Sequence, residues 1–296
     1  MTSLHRSWLY VPGNRPDRFA SAATSGADAV VIDLEDAVPA TAKDEARQAA
    51  AAYAVTAEAA VALYVRINHP RSPWARDDVT TVASPRLAGI RVPKVEDADE
   101  VRTVAGWLHD AGAPVPLYCL IESALGVERA YDICRADPLV AGLVLGEADL
   151  AADLGTSDDD GLRYARSRCV VAARAAGLPP PVQSVFPNVQ DLDGLRTSCE
   201  QGRWLGFLGR SAIHPEQVPV INAAYTPSAA EVADARMLLE SSQRRDGEAF
   251  VLSDGRFVDA AVVEQARRTL ALAAAGTADS APTESGVQPT DEERPS

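Results

Sequence analysis

Short apolar runs, each closing on polar side chains, recur along most of this chain. AVVIDLED closes on Asp33, Glu35 and Asp36; LYVRIN on Arg66; IRVPKVE on Lys94; LYCLIE on Glu122; and LVLGEADL on Asp149. An apolar run bounded by turn signals marks a strand buried on both faces, as in a parallel sheet covered by helices. Charges cannot sit unpaired inside such a strand, so they collect where it emerges. Many strands releasing polar groups at their C-terminal ends predict a (β/α)8 TIM barrel whose carboxyl rim is an active site.

The pattern places eight strands, at 8–11, 29–34, 61–67, 89–95, 115–122, 140–146, 181–186 and 204–209. Between them, segments such as DADEVRTVAGWLHDAG and DDGLRYARSRCVVAARAAG carry apolar residues at three-to-four spacing and end in glycine, as helices do. Alternating strands and helices define the α/β class. A doubly wound open sheet competes with the barrel, but no G-x-G-x-x-G follows the first strand and no G-x-x-x-x-G-K-[ST] occurs anywhere.

Beyond the eighth strand the pattern changes. SAAEVADARMLLESSQR reads as a helix, AFVLSDGRFVD as a hairpin with a type I′ turn at Asp254-Gly255, and AAVVEQARRTLALAAA as a last helix. The expected organisation is a barrel over 1–227, a helix-hairpin-helix extension over 228–275 that packs on its own subunit or reaches a neighbour, and a disordered acidic tail over 276–296.

A net charge of −14 argues against nucleic acid or anionic membrane as a partner, since both would be repelled. Cys119, Cys134, Cys169 and Cys199 lack zinc-site spacing and read as reduced thiols. With no signal-peptide core and no apolar stretch near ~18 residues, a soluble cytoplasmic protein is expected.

Glu122 and Asp149 follow consecutive strands, so their carboxylates are expected to converge on one rim. Two carboxylates plus water and substrate oxygens suit Mg²⁺; the plainer readings are a rim salt bridge for Glu122 and a helix cap for Asp149. Arg66 suits a substrate carboxylate in two-point contact, or an internal ion pair with Asp33, Glu35 or Asp36. Lys94 raises Schiff-base chemistry, although Glu96 and the acidic rim favour a charged, structural lysine. Only Lys43 shares its residue type; every other basic side chain is arginine. His214 reads as a capping or packing residue, and Asp259 as the N-cap of the last helix.

Read together, WLYVPGNRPDRF, VVIDLEDAV with Lys43 and Arg47 downstream, VRIN, VPKVE, LIESALGV, GEADLAADLG, AIHPEQVPVINAAYTPS and GRFVDAAVVEQARRTL resemble the citrate lyase β-subunit-like branch of the HpcH/HpaI aldolase family, in order over residues 7 to 272. The resemblance implies a (β/α)8 barrel assembled as a homotrimer or hexamer, with Mg²⁺ held by Glu122 and Asp149. It gives Arg66 and Glu122 to substrate binding, and puts an acid/base aspartate, Asp259, into the site of the adjacent subunit. Asp33, Glu35, Asp36 and Lys94 would then orient metal-bound water and Arg66. The implied reaction is Mg²⁺-dependent cleavage or formation of a β-hydroxyacyl-CoA thioester, malyl-CoA or citramalyl-CoA, with an α-keto acid, glyoxylate or pyruvate, as the other partner. The alternatives are a citryl-thioester lyase subunit needing acyl-carrier and transferase partners, and a Schiff-base aldolase using Lys94. Three positions depart from the family pattern: Phe257 where methionine is usual, Ala260 where proline is common, and Arg210 where many relatives carry lysine.

Overall fold

The computed structural model describes residues 4–56 and 61–278. Strands β1 (Ser7–Pro12), β2 (Ala29–Asp33), β3 (Ala62–Arg66), β4 (Gly89–Val92), β5 (Leu117–Ile121), β6 (Val140–Leu145) and β7 (Arg210–Ala212) form one parallel sheet, ordered β6-β5-β4-β3-β2-β1-β7. The fold is mixed α/β, with helices in the crossovers. Every residue of β2, β4 and β5 is buried, which is why these strands read as runs rather than as alternations. At about 1.5–3 kcal/mol for each large apolar side chain, such runs supply most of the drive to form the sheet.

Alternate strand positions fill two layers. Trp8, Ala29, Val31, Tyr64, Tyr118, Leu120, Val144 and Val182 pack as one cluster. Its centre is aromatic: the Trp8 ring lies 4.6 Å from Tyr64 and 5.3 Å from Tyr118, and Tyr64 meets Tyr118 edge-on. Gly142 makes room for this plug, since a Cβ there would stand 2.8 Å from the Tyr118 ring.

Six of the expected strands form, within a few residues of their predicted ends. The strand expected at 181–186 reduces to two parallel bridges, Val144↔Val182 and Gln183↔Arg210, which tie both sheet edges to residues 182–183. Flanking Pro179, Pro180, Pro181 and Pro187 have no N–H to donate to a longer ladder. The strand expected at 204–209 is misplaced. Trp204 and Leu205 finish the helix Leu192–Leu205, Gly206 caps it in the left-handed region, and the ladder begins at Arg210. Trp204 is 81% exposed, so the apolar character of WLGFLG misled: the true strand RSA is polar and still buried.

The chain divides into two compact units at Thr226–Pro227. In the second, the helix Ala229–Gln243 opens with a full capping box at Ser228 and Glu231. An antiparallel pair, β8 (Phe250–Val251) and β9 (Phe257–Val258), follows, and the helix Ala260–Ala278 closes it. Ala235, Leu238, Val258, Val263 and Ala266 form its core. The turn is not type I′: of the Asp254-Gly255 pair, only Gly255 takes a positive φ. The last helix continues to Ala278, beyond the boundary expected at 275; the rest of the expected tail, 279–296, lies outside the described residues. Among the described residues no helix is long and apolar enough to cross a membrane.

Candidate active site

A cavity of ≈ 500 Å³ opens at the carboxyl ends of the strands, lined among others by Tyr10, Asp33, Asp36, Arg66, Glu122, Asp149, Ser184 and Ser211. A second, smaller hollow shares Glu122 and Asp149 and adds His69, Lys94 and Glu96. The structure therefore brings Asp33, Asp36, Arg66, Lys94, Glu122 and Asp149 to these two hollows, though not by the local geometry expected of each.

Glu122 stands one residue past β5, 6% exposed. Its Oε2 accepts the backbone N–H of Lys94 at 2.8 Å. Burial raises its pKa, against the opposing pull of Arg66 and of the Lys94 N–H, and the charge of Asp149 raises it further. Asp149 does not end a strand, as the sequence pattern suggested. β6 stops at Leu145, and Asp149 sits in the first turn of the helix Glu147–Leu154, where the positive end of the helix favours a carboxylate. No side-chain capping bond is made there. The neighbouring acid is committed elsewhere, because Glu147 pairs with Arg166 at 2.6 Å.

Gly146 is the residue that lets Glu122 occupy this place. A Cβ at Gly146 would overlap the Glu122 carboxylate. Gly146→Ala should therefore displace Glu122 and weaken Mg²⁺ binding by about 10- to 100-fold, the usual loss when the support of a metal ligand is disturbed. Calorimetric Mg²⁺ titration of the folded variant checks this.

Asp33 and Arg66 are directly paired across β2 and β3. Arg66 Nε and Nη2 donate to the two oxygens of Asp33, both at 2.7 Å. Nη1 donates to Asp36 at 3.3 Å and lies 2.9 Å from Glu35 Oε2. That last contact is an ion pair without hydrogen-bond alignment, leaving the buried Oε2 without a donor. The internal ion pair weighed for Arg66 thus forms, and it presents the guanidinium at the cavity wall already oriented.

Lys94 adopts a left-handed conformation, φ 52°, past the end of β4. The expected strand end at 95 fails because Pro93 and this turn redirect the chain. Its Nζ lies 2.9 Å from Glu35 and 3.1 Å from Asp36. Burial lowers its pKa, but the bonds and charges of Glu35 and Asp36 outweigh burial and hold it above the ordinary lysine value. An amine kept as ammonium has no lone pair to attack a carbonyl, so the geometry speaks against the Schiff-base alternative. Lys43, buried at the other end of the acidic loop, donates to the carbonyls of Leu34 and Glu35 at 2.7 and 2.6 Å and fixes the loop's path.

Glu35 also has a raised pKa. Burial first, with repulsion from Asp36 and Glu122, pushes its pKa up to about 7 despite Arg66 and Lys94. An acid with a raised folded-state pKa holds its proton more tightly than in the unfolded chain, so stability falls as pH rises from the ordinary 4.5 to about 7. Melting curves of the parent should lose ground to Glu35→Gln over that window; a constant difference would mean a carboxylate ionised throughout.

Asp259 lies in the second unit. Its Oδ1 accepts the N–H groups of Ala261 and Val262 at 3.0 and 3.1 Å, so it caps the last helix as its position suggested. Of the family departures, Phe257 is largely exposed and Arg210 is buried, donating to Ser198 Oγ at 2.9 Å. His214 lies on the surface beside Glu216.

The donor set fits a hard divalent cation. Glu122 and Asp149 repel one another at one cavity, and a cation between them removes that cost. Among the described residues no group of three or more His, Cys, Asp or Glu side chains is placed to hold a metal. A cation held by this pair would draw further ligands from water or substrate oxygens, as Mg²⁺ prefers. Tyr10, Arg91, Ser184, Ser211, His69 and Gly146 went unnoticed in the sequence. Tyr10 alone carried a signal, two residues after Trp8 on the same strand face.

Comparison with known proteins identifies the family. The family model described as HpcH/HpaI aldolase/citrate lyase matches residues 6–215. A (3S)-malyl-CoA thioesterase of Cereibacter sphaeroides is 37% identical over 276 residues, covering 91% of this chain and 95% of its own. The citrate lyase subunit beta of Leuconostoc mesenteroides subsp. cremoris is 34% identical over 283 residues, covering 91% and 93%. Among solved structures, protein CitE of Mycobacterium tuberculosis in complex with magnesium, acetoacetate and coenzyme A superposes with a TM-score of 0.77 at 33% identity, covering 93% of this chain and all of that one. The citrate lyase beta subunit of the same organism, complexed with oxaloacetate and magnesium, gives 0.66 at 32% identity, covering 76% and 98%. The chain belongs to the HpcH/HpaI aldolase/citrate lyase family.

Proposed function

We propose that this chain is a Mg²⁺-dependent carbon–carbon lyase that cleaves or forms a β-hydroxyacyl-CoA thioester of the malyl-CoA or citramalyl-CoA type, with glyoxylate or pyruvate as the keto acid. The observation that carries the reading is the meeting of Glu122, Asp149 and Arg66 at one cavity. The magnesium complexes of related proteins with acetoacetate or oxaloacetate support it. Glu122 and Asp149 would hold the ion, which when bound supplies Lewis-acid stabilisation of negative charge on substrate oxygen. Arg66, fixed by Asp33, anchors and polarises the acid end of the substrate. In the cleaving direction the β-hydroxyl passes its proton to water, its carbon becomes the keto-acid carbonyl, and an equivalent proton is returned at the α-carbon. The electron pair of the breaking C–C bond moves onto the thioester as an enolate, which takes a proton at its α-carbon.

That proton is assigned to Asp259 of a neighbouring copy in a homo-oligomer, trimer or hexamer, around a (β/α)8 barrel closed through residues 182–183. The GRFVD segment supports the assignment. Asp259→Asn keeps a good capping residue and should lower turnover about 10²- to 10⁴-fold, the range for losing a general acid, with Mg²⁺ affinity and melting temperature unchanged. Mixing it with Glu122→Gln should recover part of the activity if the site is shared between copies. Full activity in Asp259→Asn alone would return the residue to capping.

A second reading is hydrolysis of the thioester, favoured by the 37% identity to a malyl-CoA thioesterase. A third, a subunit of a citrate lyase complex, rests on the 34% identity to such a subunit. One screen separates them: the purified chain with Mg²⁺ against malyl-, methylmalyl-, citramalyl- and citryl-thioesters. Released keto acid supports the lyase, free CoA with an intact hydroxy acid supports the thioesterase, and activity confined to acyl-carrier thioesters supports the complex.

A further inference from the structure

Arg91 heads the fully buried side chains by size, and among the described residues it pairs with no carboxylate. A guanidinium taken out of water without an anion is costly, and such a site needs an explanation. Its Cζ lies 4.4 Å from the Trp8 ring centroid and 5.2 Å from that of Tyr10. Nη1 donates to Tyr10 Oη at 2.9 Å and to Ser211 Oγ at 3.1 Å, while Nε and Nη2 have no partner.

Arginine only donates. Each hydroxyl that accepts from it must turn its own proton elsewhere, and neither hydroxyl donates to another described protein atom. Tyr10 and Ser211 both line the cavity that holds Glu122, Asp149 and Arg66. Two O–H donors backed by a desolvated positive charge make a receiver for anionic oxygen, pre-aligned before any ligand arrives. Arg66 turns Nε and Nη2 to Asp33 and Nη1 to Asp36, so an acid that meets it gains from further donors on the same cavity wall.

We propose that Arg91 is a positioning residue that sets the Tyr10 and Ser211 hydroxyls as a paired donor site for the carboxylate of the α-keto acid. The hydroxyls touch the ligand and Arg91 acts through them. The assignment rests on the keto-acid reading above and adds the residues that would recognise the acid.

The test is calorimetric titration of the full-length, Mg²⁺-loaded protein with pyruvate and with glyoxylate, which requires no turnover. Tyr10→Phe and Ser211→Ala should each weaken binding by about tenfold or more, as expected for a lost hydrogen bond to a charged group, with Mg²⁺ affinity unchanged. In an Arg91→Met background, adding Tyr10→Phe should cost little more, because the hydroxyl is no longer aimed. A purely structural Arg91 would lower the melting temperature and leave the effect of Tyr10→Phe at full size. If Arg91→Met does not fold, the Tyr10→Phe/Ser211→Ala double variant decides alone. Parent-like affinity in that double variant overturns this site and leaves the functional reading standing. A parent protein that binds neither acid overturns both.

Discussion

Glu122→Gln is expected to remove Mg²⁺-dependent turnover, a loss on the order of 10³-fold or more, in a protein that still folds. The amide oxygen can go on accepting the Lys94 N–H that Glu122 Oε2 accepts at 2.8 Å, so the turn after β4 keeps its anchor. A neutral side chain also avoids the burial cost that raises the pKa of Glu122. What is lost is the charge that would hold the cation. Metal stabilisation of a developing oxyanion is worth several kcal/mol, and each ~1.4 kcal/mol is a factor of ten in rate. Circular dichroism should match the parent while magnesium titration shows affinity lost. Retained turnover with retained magnesium dependence would move the metal away from this carboxylate.

Arg66→Met should do two separable things. It removes the group proposed to meet the substrate acid, so the KM for keto acid in the condensing direction should rise by about tenfold or more. It also leaves the buried Asp33 without its ion-pair partner and the buried Glu35 with Lys94 alone. Breaking a buried pair by deleting one partner costs about 3–5 kcal/mol, or roughly 10 °C in melting temperature for a unit of this size. The sign of the pH dependence is fixed by Glu35, whose pKa already stands at about 7. Without Arg66 it rises further, and the protonated acid no longer needs the guanidinium. The penalty should therefore be larger at pH 8 than at pH 5. Arg66→Lys should recover part of the stability but not the affinity, because an ammonium cannot make the two 2.7 Å bonds to Asp33 side by side. Equal melting temperatures for parent and Arg66→Met at pH 8 would deny the arginine its structural half.

Much of this was legible in the sequence because strands buried on both faces leave contiguous apolar runs, and AVVID, LYVR and LYCLI are such runs. The acids after them were legible for the same reason: Asp33 and Arg66 end their strands and Glu122 follows its own. Position was lost where another force took over. GEAD directly after LVL predicts a strand end at Asp149, but a helix starts at Glu147 and carries the aspartate in its first turn. The last strand was placed on WLGFLG, since an apolar scan cannot tell an exposed helix end from a buried ladder; the true strand, RSA, is polar. Ser211 was missed with it. Arg91 was hidden inside IRVPK because runs buried on both faces do not reveal which side chains point inward. Only the ring of neighbours identifies it: Trp8, Tyr10 and Ser211, contributed by β1 and β7, far apart in the chain.

Glu122 and Asp149 are proposed to grip one divalent cation within reach of Arg66. Crystals grown with Mn²⁺ and pyruvate, measured at a wavelength where manganese scatters anomalously, test it most directly. A single peak is expected about 2.1 Å from one oxygen of each carboxylate, with the keto acid between that peak and Arg66. A cavity without a peak, or manganese bound at other side chains while pyruvate occupies the site, would contradict it.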